Sequence, residues 1–209
     1  MTDNLGVHTG SDATVATDDI GGVHYQEVKL VSGTKNATTP VKADSATGAL
    51  NVMPYEHHEI HDGSSFTCSY TVDLAQSASA NLLIVTPDTT KWAHFGYEVD
   101  VEVEAHVYIY EAPTATAAAN PIVAYNRDRN SLTAATVVVT HTPTSVTEGT
   151  TLIREAHLGS LKNVGGESVD AQEFILKQNT KYLFRVTNVI NNAPNYITIR
   201  LNWYEHTSL

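Results

Sequence analysis

The densest grouping of side chains able to do chemistry is Glu56-His57-His58-Glu59-Ile60-His61-Asp62. Imidazoles and carboxylates this close together suit a divalent transition metal. The metalloprotease pairing of histidines needs a helix, whereas this run leads straight into an alternating, strand-like segment. On an extended chain His57, Glu59 and His61 share one face, and His58 and Asp62 share the other. The run is therefore read as a polar strand end at a subunit interface, with no metal and no cofactor expected. The histidines in general are read as surface and interface residues, able to change charge near pH ~6.5.

Four carboxylates, Glu98, Asp100, Glu102 and Glu104, alternate with valines and fall on one face of a strand. Same-face neighbours sit about 7 Å apart, so their repulsion needs compensation. A basic residue on the adjoining strand or water is expected to supply it, since a straight strand is a poor cage for calcium. Paired carboxylates also serve glycosidases, but nothing else marks a sugar cleft. Nucleophilic chemistry has little support, for there is no G-x-S-x-G elbow. The single cysteine, Cys68, alternates with Phe66 and Tyr70, which makes it a buried, inert thiol. Gly21-Gly22 belongs to no phosphate-binding loop, and Asn36-Ala37-Thr38 is read as a chance match to the N-glycosylation pattern. Tyr108, Tyr110, Tyr196 and Tyr204 fall on polar faces, where a ring with a polar tip suits a protein–protein surface. No residue is assigned a catalytic role.

The elements that would carry these residues are strands. Phe66, Cys68, Tyr70, Val72 and Leu74 alternate with polar residues, as on a half-buried strand. The alternation from Tyr97 to Tyr110 has no break and is read as the longest strand. Further strands are read at Asn81 to Thr86, Ala134 to Thr140, Leu152 to Leu158, Lys181 to Thr187 and Tyr196 to Tyr204, with a short apolar piece at Glu173 to Leu176. Glu111 to Pro121 and Arg127 to Ser131 read as loops, Pro143 to Thr150 as a hairpin-like connection, and Gly165-Gly166 as a chain break. About eight strands without a long helical pattern predict an all-β fold, a jelly-roll-like antiparallel β-sandwich. The lack of a fixed-period repeat weighs against a propeller or β-helix.

Charge narrows the partners. Lys plus Arg number 12 and Asp plus Glu 23, so the net charge is -11. A binder of naked nucleic acid needs a basic face, and so does a binder of anionic membranes; neither is expected. The opening MTDNLGVHTGSD has no basic or apolar run, so no signal peptide is expected, and synthesis is expected in the cytoplasm.

Residues 1–60 differ from residues 61–209, which are read as the sandwich. Residues 1–22 are small and polar, too poor in apolar area to offset the entropy of ordering. An alternating island follows, GGVHYQEVKLV, with Val23, His24, Tyr25, Gln26, Val28, Leu30 and Val31 on its two faces. Apolar groups on both faces suit a strand that pairs with a partner. Residues 1–60 are thus read as an extended docking arm with these seven residues as its anchor. About 55 extended residues span at most ~180 Å, ample to reach a neighbouring subunit and add a strand to its sheet.

The segment DDIGGVHYQEVKLVSGT (Asp18 to Thr34) resembles one found near the N-terminus of virion structural proteins of tailed bacteriophages. NTKYLFRVTN (Asn179 to Asn188) and NYITIRLNWYEH (Asn195 to His206) are similar to the closing hairpin of phage head- and tail-associated β-sandwich proteins. The resemblance implies a non-enzymatic, multi-copy virion component located on the virion. The expectation is a capsid decoration (cement) protein, a homotrimer bound to the major capsid protein or other virion proteins. The alternative is a tail, baseplate or receptor-binding tip component that contacts a host glycan.

Overall fold

A computed structural model describes residues 3–6, 14–20, 23–26, 46–47, 53–117, 119–159, 165–168, 173–190 and 192–207. The chain divides into two units, Met1–Met53 and Pro54–Leu209.

In the first unit β1 (Asp3–Gly6), β2 (Thr14–Ile20) and β3 (Val23–Gln26) form an antiparallel sheet in the order β1-β2-β3. Strands therefore occur in residues 1–22, where polarity had predicted none. Each pairs with its neighbour in sequence, so only short loops need closing. Val23, His24, Tyr25 and Gln26 make up β3, opposite Ile20, Asp19, Asp18 and Thr17. Val28, Leu30 and Val31 lie outside the described residues.

The second unit runs α1 (Tyr55–His61), β4 (Ser65–Leu74), β5 (Ser79–Val85), β6 (Trp92–Val101), β7 (Ala105–Glu111), β8 (Thr114–Thr116), β9 (Tyr125–Asn126), β10 (Val138–His141), β11 (Thr144–Thr147), β12 (Thr151–Leu158), β13 (Gly165–Ser168), β14 (Phe174–Leu176), β15 (Lys181–Asn188) and β16 (Asn195–His206). Two antiparallel sheets pack face to face. One has the order β10-β5-β15-β7-β12, and the other β13-β6-β16-β4-β9, with β14 also paired to β6. The fold is an all-β sandwich, as the alternation predicts. Among the described residues no helix is long and apolar enough to cross a membrane.

The inward faces form one core. Phe95, Tyr97, Val99 and Val101 of β6 and Ile197, Ile199, Leu201 and Trp203 of β16 meet Leu82, Ile84, Phe184 and Val186 of the facing sheet. The Tyr97 and Phe184 rings touch edge to face at 5.0 Å, tying the sheets together. Cys68 is buried, and burial pushes its thiol up to about 12.

The strand read from Tyr97 to Tyr110 is two strands. After Val101 the chain leaves one sheet, and at Ala105 it enters the other. Buried Asn195 pins this corner: its Oδ1 accepts from the Glu102 and Val103 amides (3.0 and 3.2 Å), and its Nδ2 donates to the Val103 carbonyl (3.1 Å). Asn188, also fully buried, donates to the Leu74, Ala75 and Ala193 carbonyls where β4 gives way to β5. The crossings are thus gathered at one end of the sandwich.

The connection from β7 to β12 guards the open edges. Its β9 pairs with β4 and its β10 with β5. The segments read as a loop and a hairpin-like connection pair with each other as β8 and β11, a ribbon fastened to the outer face by Lys181 Nζ on the Ala115 carbonyl (2.8 Å) and by the Arg185–Glu148 ion pair. Gly165-Gly166 is not a break; it opens β13, whose backbone pairs with Val101 and Asp100.

Candidate functional site

Opposite the Asn-pinned end, the outer face of β6 and β16 carries a knot of rings beside α1. Sequence reading placed the residues of α1 on a strand end. They form a two-turn helix because both ends are set. Pro54 occupies the N-cap position, where its own missing N–H costs nothing. At the other end Gly63 adopts φ +69°, its amide bonds the Ile60 carbonyl, and the Ser64 amide bonds the Glu59 carbonyl (both 3.0 Å). That is a Schellman stop, and glycine takes its left-handed position without strain.

The helix keeps the two histidine groupings but shortens their spacing and moves Glu59 from one to the other. His57 and His61, one turn apart, bring their Nε2 atoms to 3.0 Å, with the rings edge to face. His58, Glu59 and Asp62 form a second group whose donor atoms all lie within 4.8 Å of one another. Glu59 is the one buried residue of the helix. Burial alone would raise its pKa, but hydrogen bonds from Ser64 and Tyr55, with the nearby His206 and His58, hold its carboxyl below the usual value.

Beneath the helix Tyr204 is buried, not exposed at an interface as its alternation suggested. Its ring stacks on His94 at 4.5 Å and meets Tyr55 edge-on at 5.9 Å. Its hydroxyl donates to Glu173 Oε1 (2.9 Å), which also accepts from His94 Nδ1 (2.8 Å). Burial, then Glu173, pushes the Tyr204 hydroxyl well above the ordinary tyrosine value. With Nδ1 bonded to Glu173, His94 turns its Nε2 to His206 Nε2 at 2.7 Å. Among the described residues the His206 Nδ1 is buried without a hydrogen-bond partner. Beside these rings lies an open groove of about 590 Å³ lined by Pro54, Tyr55, Glu56, His94, Glu173 and Tyr204. Aromatic faces with flanking carboxylates can stack on and hydrogen-bond a polar ligand.

The acidic stripe is only partly one feature. Glu98 and Asp100 share Arg200 of β16 (3.3 and 2.5 Å), the expected basic partner on the adjoining strand. Glu102 and Glu104 lie in the corner between sheets. On the other outer face His106 stacks on His157 with ring centroids 3.7 Å apart, and Tyr108 stacks on Tyr110 at 6.0 Å. Tyr196 is exposed.

Sequence reasoning missed Glu173, Tyr55 and Glu205. Glu205 was detectable, because it continues the inward parity of Ile199, Leu201 and Trp203. Buried, it accepts from the Thr136 and Val137 amides and from Trp203 Nε1. Those bonds divert the backbone of Thr136 and Val137, so the strand read from Ala134 begins only at Val138.

No protein-family model matches the chain, and no curated protein matches it by sequence.

Proposed function

We propose that the chain is a non-enzymatic structural protein of a tailed-phage virion, a decoration protein that self-associates as a homotrimer and fastens to the shell through its N-terminal unit. The carrying observation is the strand order. In chain order the eight principal positions of the sandwich are β4, β5, β6, β7, β12, the β13/β14 edge, β15 and β16, which gives sheets 1-8-3-6 and 2-7-4-5. That order supports a jelly roll of two interlocked Greek keys, an architecture common to viral shell proteins and lectins. The sequence resemblance at Asp18–Thr34 and in the last two strands supplies the phage context. Among the described strands of the N-terminal sheet, β3 is an outer one, so one of its edges can add to the sheet of another chain. Copies related by symmetry would multiply a weak contact of this kind.

A second reading, a tail or receptor-binding tip, is favoured by the groove lined by Tyr55, Tyr204, Glu56 and Glu173, whose chemistry suits a glycan. Labelling the protein on intact particles separates the two: signal over the head supports decoration, signal at the tail supports the tip, and unlabelled particles overturn both. Deleting residues 1–34 is expected to leave a folded trimer by sedimentation that no longer joins particles. Full occupancy by the truncated chain refutes the N-terminal unit as the fastening.

A further inference from the structure

We propose that His57 and His61 form a chelating site for a divalent transition-metal ion. The two imidazoles sit one helical turn apart on the exposed side of α1 and bring the same ring nitrogen, Nε2, within 3.0 Å of each other. Among the described residues the only hydrogen bond recorded for either ring is the one they make with each other.

The spacing is within reach of one ion. Metal–imidazole bonds of about 2.0–2.1 Å place two nitrogens about 2.8–3.4 Å apart for angles from a right angle to tetrahedral. The observed Nε2···Nε2 separation is 3.0 Å. An ion would replace the hydrogen bond between the exposed rings, and the ring carrying its proton on Nε2 would move it to Nδ1.

The surroundings favour a cation. Glu56, Glu59 and Asp62 lie on the same helix segment or its cap, and the chain's net charge is -11. These raise the local cation concentration without occupying the two nitrogens. The seven-residue helix is too short to be stable by its own hydrogen bonds, so an ion bridging successive turns also braces it. The sequence argument against a metal rested on an extended chain, in which His57 and His61 are four strand positions apart, beyond the reach of a shared ion.

The test is calorimetric titration of the full chain with copper(II), nickel(II) and zinc(II) in a non-coordinating buffer. It is repeated on His57→Ala, His61→Ala and, as the control on the adjoining face, His58→Ala. One tight equivalent per chain is expected. Either pair variant should weaken copper binding at least tenfold, whereas His58→Ala should change it less than threefold. Electron paramagnetic resonance of the copper complex should show hyperfine coupling to two nitrogens, falling to one in each pair variant. All three variants alter exposed side chains, and circular dichroism checks that they fold. Tight binding that survives in both pair variants, or is lost in His58→Ala, overturns the site.

Discussion

Replacing Glu205 with alanine is expected to cost about 3–5 kcal/mol of stability, the lower part of what three buried N–H donors left unpaired would cost. Glu205 is 2% exposed on the inner face of β16. Its Oε1 accepts from the Thr136 amide (3.0 Å), the Val137 amide (3.0 Å) and Trp203 Nε1 (2.9 Å), and its Oε2 from the Thr136 hydroxyl (2.5 Å). The hydroxyl can turn to another acceptor, but the three N–H groups are fixed by backbone and ring. A buried donor left without a partner costs about 1–3 kcal/mol. Three of them would cost about 3–9 kcal/mol by the same rule, less what is recovered by water entering the vacated space.

Glu205→Gln is the discriminating variant. Its amide oxygen can take the place of Oε1 and keep all three N–H acceptances. Its NH₂ then faces the Thr136 hydroxyl, which can accept, and also the Thr136 amide, which bonds Oε2 at 3.1 Å and cannot. The loss of that shared bond and of charge assistance sets an expected cost of about 1–3 kcal/mol. Urea denaturation followed by tryptophan fluorescence reads both, because Trp203 is itself a partner. With a slope of about 2 kcal/mol per molar, the alanine midpoint should fall by about 2 M and the slope should stay constant. An alanine variant within 1 kcal/mol of the parent on the scale of ordinary surface changes, or a glutamine variant weaker than alanine, refutes the reasoning.

Two further outcomes follow from local geometry. Gly63→Ala should destabilise by about 1–2 kcal/mol for its left-handed backbone; its Cβ would also lie 2.4 Å from Ser131 Oγ, so Gly63→Ala combined with Ser131→Ala should recover part of the loss in the same urea assay, and no recovery would point to backbone strain alone. Burial and then His157 hold His106 below the ordinary histidine value, against the opposing pull of Glu104 and Glu155. The unfolded chain therefore takes up the proton first, so this contribution is complete above pH ~6.5 and is lost as pH falls toward the folded value; His106→Gln should flatten the fall in stability between pH 7 and 5, and parallel profiles for the two proteins would rule the effect out.

Alternation revealed which residues face the core but not which sheet they belong to. Val99 and Val101 point into the core from one sheet, Ala105 and Val107 from the other. Because both sheets bury the same interior, a chain that turns the corner keeps its inward parity, and the pattern shows no seam. What marks the corner is Asn195, a polar residue with no exposure, about 90 positions from the amides it holds. A contact at that separation leaves no trace in a local window. Glu205 shortened a predicted strand in the same way, by reaching across 69 residues to Thr136.

The candidate site was hidden for a different reason. A helix is recognised in sequence by an apolar stripe of period 3.6, and α1 is too short to have one; its one buried residue is a glutamate. Its boundary residues were nevertheless in view. Pro54 and Gly63 enclose the histidine run with proline at the start and glycine past the end, the asymmetry that helix termini favour. Giving weight to those two residues over the strand that follows moves Glu59 from the company of His57 and His61 to that of His58 and Asp62. The chemistry of the segment therefore turns on its backbone state: extended, it holds His57 and His61 four strand positions apart, and helical, it brings their Nε2 atoms to 3.0 Å. Pro54 and Gly63 decide between these states, although neither could bind anything itself.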